Sequence, residues 1–274
     1  MTSASVSWEE ADIAVIGAGA AGLMAAIAAA ASQPSRRVTL FDTRQKIGAK
    51  ILISGGTRCN VTNVKVSASD YEGAAPHFIR HVLAAFTPDQ TRQFFERIGV
   101  PLVLEPTGKY FPTTHSGKTV LEALLKETNR LGIFLKTGIR VAEAKKEGEW
   151  FSLIEGAGKS FFRCHRLILA TGGLSYPETG SDGTGYRIAQ ALGHTLTQTV
   201  PALTPLTTDD KDWQSLSGIT LEAGLSFFKG GRKKKEVQDS FLFTHFGFSG
   251  PAALDISRHY ALCPPEEKPE IFAS

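Results

Sequence analysis

Residues Asp12 to Asp42, DIAVIGAGAAGLMAAIAAAASQPSRRVTLFD, constrain the fold more than any other stretch of this chain. Ile13, Val15 and Ile16 form a short apolar run suited to a buried parallel strand. Gly17, Gly19 and Gly22 follow at G-x-G-x-x-G spacing, and Leu23 to Ala31 are nearly all strong helix formers. After Pro34 the chain turns, and Val38, Leu40 and Phe41 predict a second strand ending at Asp42. The spacing has physical reasons. Gly17 permits the tight strand-to-helix turn, Gly19 lets backbone approach a pyrophosphate, and Gly22 lets the helix pack closely on the strand. The helix start then offers unpaired N–H groups and a positive dipole end to phosphates. Asp42 lies where an acid accepts hydrogen bonds from a ribose hydroxyl. Strand, triplet, helix, second strand and closing acid together point to a dinucleotide.

The rest of the chain limits the alternatives. Its 274 residues, 42% hydrophobic and 21% charged, suit one large or two smaller globular domains. A net charge of +3 is too balanced to argue for nucleic acid or an anionic membrane surface. Cys59, Cys164 and Cys263 are few and widely spaced, which fits a reducing compartment. The N-terminal residues show no basic segment followed by an apolar run, and Leu23–Ala31 is too short to span a bilayer, so the expectation is a cytoplasmic protein. There is no paired-cysteine metal motif and no internal repeat.

Thr43 to Asn63 is rich in Gly, Ser, Thr and Asn and carries Lys46, Lys50 and Arg58. It reads either as a polar surface loop or as a loop lying along an anion. In the second reading, Ser54-Gly55-Gly56-Thr57 present backbone N–H groups and Arg58 and Asn60 add side-chain donors. Residues 75 to 131 read as mostly helical. One helix places Phe78, Ile79, Val82, Leu83 and Phe86 on one face. A second starts with Thr87-Pro88-Asp89-Gln90, an N-cap with a capping box, and stops at Gly99. A third runs from Ser116 to Leu131, while Leu102–Pro112 reads as irregular. Ile133–Lys136, Ile139–Ala144, Trp150–Ile154 and Ser160–Arg163 are short strand-like pieces, and the apolar run from Leu167 ends in Thr171-Gly172-Gly173. A small antiparallel meander before a last parallel strand fits a flavin-type dinucleotide domain. Thr171 and Gly172 then sit at the carboxyl end of a strand, where open α/β sheets bind ligands.

Leu174 to Gly193 reads as a loop followed by a helix from Tyr186. From Thr195 a second region begins. Ile219 to Phe227 alternate as a half-buried strand, Lys229 to Lys235 make a basic turn, and Ser240 to Phe246 return. The final CPPEEKPEIFAS reads as an unpacked tail.

The segments GAGAAG, GAKILISGGTRCNVTN, EPTGKYFP, ATGGLSYPETGSDGTGYRIAQALGH and LFTHFGFSGPAAL resemble the bacterial BaiN/RdsA-type NAD(P)/FAD-dependent oxidoreductases, a group that includes aminoacetone oxidase-like flavoproteins. The resemblance runs in order from Asp12 to Leu254. It implies an α/β chain: a Rossmann-like FAD-binding domain of glutathione-reductase type with a β-meander over residues 1–193, carrying a helical insertion at about 64–132. Residues 194–274 would be an incomplete strand-rich, barrel-like domain. The resemblance also implies FAD in extended form, held by Gly17, Gly19, Ala20, Ala21, Gly22, Asp42 and Thr43. Lys50, Gly55, Gly56, Arg58, Cys59 and Asn60 would run toward the flavin, Val141 would meet adenine, and Thr171, Gly172 and Gly173 would close over the cofactor. The Asp182-Gly183-Thr184-Gly185 loop is similar to one near the flavin in fumarate-reductase-like enzymes. Two departures stand out: Thr57 replaces a usual third glycine, and family members continue for about another domain's worth of chain. The expectation is therefore a C-terminally truncated member.

These readings predict an FAD-dependent oxidoreductase passing electrons or hydride between a small organic substrate and NADPH, NADH or oxygen. Arg58 and Asn60 are candidates to stabilise negative charge on the reduced ring. His245 and Tyr176 are candidate proton donors. No second glycine fingerprint marks a resident nicotinamide, and no metal is expected. Two other classes compete: a truncated, non-catalytic remnant that binds FAD weakly or not at all, and a flavoprotein acting on RNA through Lys233-Lys234-Lys235. The charge balance argues against the RNA reading, so neither a nucleic-acid nor a membrane partner is expected.

Overall fold

The computed structural model describes residues 9–71, 73–156 and 158–274. Residues 1–8, where the sequence predicts no export signal, lie outside the described residues. In chain order the elements are β1 (Glu9–Ile16), α1 (Ala20–Ser32), β2 (Val38–Asp42), α2 (Ala49–Ile53), β3 (Thr62–Asn63), α3 (Pro76–Ala85), α4 (Pro88–Arg97), β4 (Leu102–Leu104), β5 (Lys109–Pro112) and α5 (Gly117–Arg130). They continue with β6 (Phe134–Thr137), β7 (Val141–Glu147), β8 (Trp150–Glu155), β9 (Ser160–Leu169), α6 (Thr184–Ala191), β10 (Leu206–Thr207) and α7 (Lys211–Ser215). The last are β11 (Thr220–Lys229), β12 (Arg232–Thr244), β13 (Gly247–Ser249), α8 (Gly250–Leu262) and β14 (Pro269–Ala273). They form two compact units, divided between Leu196 and Thr197.

The first unit is built on a six-stranded sheet in the order β6-β2-β1-β9-β8-β7. β6, β2, β1 and β9 run parallel, whereas β8 and β7 are antiparallel. Two strand-like pieces read separately from the sequence, at Ser160 and at Leu167, are one strand. Its first half pairs with β8 and Phe162 to Leu169 pair with β1, so β9 carries the meander directly into the parallel sheet. The apolar residues of β1 split by pleat: Ile13 and Val15 join the core under α1, and Ala14 and Ile16 join the core with Phe41, Phe162 and Ile188. A strand buried on both faces reads as a continuous apolar run for this reason.

Helix α1 is apolar almost all round, and Leu23, Ala26, Ile27 and Ala30 are buried. Small side chains let it approach β1 closely. The α4 capping box is formed as expected: the Thr87 hydroxyl accepts from Gln90 N–H, and the Gln90 side chain accepts from Thr87 N–H. Gly99, at φ +87°, ends that helix.

Four readings in this unit change. Thr43–Asn63 is not wholly loop, because Ala49–Ile53 form α2 and bury Ile51 in the core. Leu102–Pro112 is a hairpin of β4 and β5, joined by β3 in a three-stranded sheet and turned by Gly108 at φ +79°. The strand expected at Ile139–Ala144 begins at Val141 and runs to Glu147. The apolar face of α3 is outside: Phe78, Val82 and Phe86 are exposed, and Ile79 is the residue of this helix that is buried. Periodicity identifies an apolar face but not what covers it.

The second unit is a five-stranded antiparallel sheet, β10-β13-β12-β11-β14. Ala223, Leu225, Phe227, Phe241 and Phe243 form a core with Ala252, Ala253 and Ile256 of α8. Two expectations fail here, and one helix has no counterpart in the sequence reading. The hairpin tip is Gly230-Gly231, both at positive φ as a two-residue turn requires, so Lys233–Lys235 lie on β12 rather than at the tip. Helix α8 was missed behind the small residues GPAAL. The supposed tail forms β14, with Ile271 paired opposite Phe227 and packed on the core. Pro269 is tolerated because it opens an edge strand.

Candidate functional site

A cavity of about 590 Å³ opens at the carboxyl ends of β1, β2 and β9, a size suited to a bound small molecule or part of a larger cofactor. Its floor is Ile16, Gly17, Gly19, Ala20 and Ala21. Gly17 sits at φ +102° and donates its N–H to Phe41 O at 2.8 Å. Gly22 does not line the cavity. A Cβ there would come within 1.7 Å of Gly17 O, so this glycine exists to let α1 rest on the turn. A Cβ at Gly19 would meet nothing within 4 Å, and Gly19 is the N-cap of α1. The helix carries no side-chain cap hydrogen bond and no acidic residue in its first turn. Its initial N–H groups and dipole thus face the cavity.

Asp42 closes β2 and forms one wall. Its Oδ2 accepts from Ala18 N–H at 2.7 Å, and its Oδ1 from Arg44 N–H at 2.8 Å. These backbone donors fix the carboxylate between the glycine turn and the next loop, and each oxygen keeps a lone pair for a further donor. Thr43, Arg44, Gly48, Ala49 and Lys50 continue that wall. On the other side stand Ile139, Arg140, Val141, Thr171, Gly172 and the segment Thr179–Asp182.

At this rim Arg140 donates to Asp182 at 2.6 Å, and the Thr184 hydroxyl donates to the same carboxylate at 2.6 Å. Hydrogen bonding from Thr184, reinforced by Arg140, holds the Asp182 carboxyl well below the usual carboxylate range. Arg187 in turn donates to the Thr184 hydroxyl at 2.9 Å. Lys50 donates to the Ser181 hydroxyl at 2.7 Å.

Of the residues expected at a cofactor, Gly17, Gly19, Ala20, Ala21, Asp42, Thr43, Lys50, Val141, Thr171 and Gly172 come together here. Gly55, Gly56, Arg58, Cys59, Asn60 and Gly173 do not line this cavity. Arg58 lies over the Phe111 ring at 4.1 Å and pairs with Glu105 at 2.5 Å, which ties its loop to the β4–β5 hairpin. Cys59 is buried in the core, and burial pushes its thiol up. The Asn60 side chain is exposed. Gly173 lies against the Tyr186 hydroxyl. Tyr176 is exposed in a left-handed conformation, and His245 lies exposed in the second unit, between β12 and β13. Arg44, Arg140 and Ser181 were missed. They follow no local motif, and only the folded loops bring them to the rim.

Thr57 sits at φ +70°, in the region glycine favours. A β-branched residue there costs about 1–2 kcal/mol, partly offset by the chain entropy glycine would add, about 0.5–1 kcal/mol. Thr57→Gly is therefore expected to raise stability by about 0.5–1 kcal/mol. A lower midpoint in urea would contradict this.

The fold and site define a dinucleotide-binding α/β domain of the Rossmann type found in FAD-binding proteins. The chain belongs to the HI0933-like family, whose Rossmann-domain profile matches residues 11–246. It is 37% identical over 250 residues to a 3-dehydro-bile acid delta(4,6)-reductase of Clostridium scindens, covering 91% of this chain and 60% of that protein. It is 34% identical over 261 residues to a ribosomal RNA dihydrouridine synthase of Haemophilus influenzae, covering 94% of this chain and 63% of that protein. The chain thus spans about three-fifths of these curated relatives. Among solved structures, 3-ketosteroid-delta4-(5alpha)-dehydrogenase from Rhodococcus jostii superposes with a TM-score of 0.53 at 18% identity, covering 70% of this chain and 56% of that one. That likeness concerns the fold. No described helix is long and apolar enough to cross a membrane.

Proposed function

We propose that this chain is the FAD-binding part of an oxidoreductase acting on a small organic substrate. The observation that carries the reading is the joint placement of the bare α1 N-terminus, the open face at Gly19 and the fixed Asp42 carboxylate around one cavity. These residues fit the ADP half of the cofactor. Backbone N–H groups at Gly19 to Ala21 would take the pyrophosphate and Asp42 a ribose hydroxyl. Ile139 and Val141 would give adenine an apolar wall. When bound, the flavin supplies the electron or hydride transfer.

The protein's part is to bind, orient and exclude. Lys50 brings positive charge to the same cavity. Arg58, fixed by Glu105 and Phe111, ties the Gly55–Asn60 turn to the β4–β5 hairpin; in this reading Asn60 would offer an amide donor to the flavin ring. His245 is the proton-donor candidate of the second unit. NADPH, NADH or oxygen is the proposed electron partner.

The test is a spectrum of the purified chain after incubation with FAD and gel filtration. An oxidised-flavin band between about 350 and 500 nm, bleached anaerobically by NADPH or NADH, is expected. A colourless protein would sink the cofactor assignment.

A further inference from the structure

Three cationic side chains from three separate segments end on five consecutive residues. Arg44, after β2, donates to the Glu178 carbonyl. Lys50, on α2, donates to the Ser181 hydroxyl at 2.7 Å. Arg140, before β7, donates to the Asp182 carboxylate at 2.6 Å. Arg44, Lys50 and Arg140 line the cavity, and so do Thr179 to Asp182 of the segment they hold, Glu178 adjoining them. We propose that these three side chains form a clasp on the Glu178–Asp182 strap and set how long the dinucleotide stays bound.

The strap has little regular structure of its own. Thr179 and Gly180 donate to Tyr176 O and Pro177 O in one short turn, and Gly180 and Gly183 sit at φ +100° and +79°. It joins no strand of the sheet, so the bridges fix its position across the cavity. Ser181 is buried, and its hydroxyl also reaches Thr171 O at 3.4 Å, which ties the strap to the end of β9. Beyond it, Asp182 is anchored to Thr184, and Thr184 to Arg187 of α6.

The charges are unequal. Arg140 is neutralised by a carboxylate, but Arg44 and Lys50 end on a carbonyl and a hydroxyl. Their charge remains uncompensated by these partners, so an anionic diphosphate in the cavity strengthens the closed arrangement. The clasp rests on the dinucleotide reading above and adds to it a determinant of release rather than of recognition.

FAD release is timed by flavin fluorescence after dilution of the loaded chain into unlabelled competitor. Arg140→Gln is expected to speed release about 3- to 10-fold, the span of a partly exposed charge pair within a network. The double variant Arg44→Gln/Arg140→Gln is expected to exceed about tenfold. The association rate should change less than the dissociation rate, falling modestly as rim charge is removed, because specific contacts act mainly on dissociation. Amide exchange at Gly180–Thr184 of the loaded chain should speed up in parallel. Unchanged release and exchange in a double variant with the parental melting temperature would overturn the clasp while leaving the cofactor reading intact. A parental chain that retains no FAD would overturn both.

Discussion

Gly22→Val is expected to leave the chain poorly folded and unable to take up FAD. The added Cβ would sit 1.7 Å from Gly17 O and 2.9 Å from Gly17 C, both backbone atoms of the turn that starts the site. No rotamer relieves such a clash, so α1 must move away from β1. Overpacking of this kind costs about 1–3 kcal/mol and more where backbone is involved, a large share of the roughly 5–15 kcal/mol of a native domain. Gly19→Ala supplies the contrast. Its Cβ would meet no protein atom within 4 Å, but it would project where a diphosphate is expected to lie. Thermal melting should therefore separate the two: a fall of several degrees for Gly22→Val, little change for Gly19→Ala, and loss of FAD affinity in both. A Gly22→Val chain that melts normally and binds FAD would refute the close-packing account.

Asp42→Ala is the second large effect. It removes the acceptor of Ala18 N–H and of Arg44 N–H at once. Leaving a partly buried donor unsatisfied costs about 1–3 kcal/mol, and the hydrogen bond proposed for this carboxylate to a ribose hydroxyl, which as a charge-assisted contact would contribute about 1.5–3 kcal/mol, would go with it. FAD affinity is expected to fall by roughly 10- to 100-fold, together with a measurable loss in urea midpoint. Asp42→Asn keeps one carbonyl oxygen and should recover part of the stability but less of the affinity. Equal affinity for the parental and Asp42→Ala chains in an FAD titration would remove the ribose role.

These two positions were legible before any fold was known because their information is local. Glycine spacing, the alanine-rich helix and the closing acid report on one strand–turn–helix–strand unit. The α4 capping box was legible for the same reason. Arg58 shows where such reading stops. Its motif points to a cofactor, yet its guanidinium is taken by Glu105 and Phe111, residues some fifty positions away that an irregular-looking segment brings in as a hairpin. The apolar face of α3 was equally visible, but its exposure depends on what packs there, and spacing carries no such information. The proline-rich end was misread because β14 owes its order to pairing with β11, a partner some forty residues earlier.

By itself, the sequence determined the dinucleotide unit: a strand, a glycine turn, a helix and an acid fix their own geometry over some thirty residues through backbone sterics and helix propensity. Lys50 apart, the tertiary structure alone decided the rim of the cavity. Arg44, Lys50, Arg140 and the Glu178–Asp182 strap meet there because the parallel sheet brings the ends of β2, β6 and β9 to one side. Long-range charge and hydrogen-bond partners are set by which loops a sheet gathers, and that ordering is a property of the packed fold.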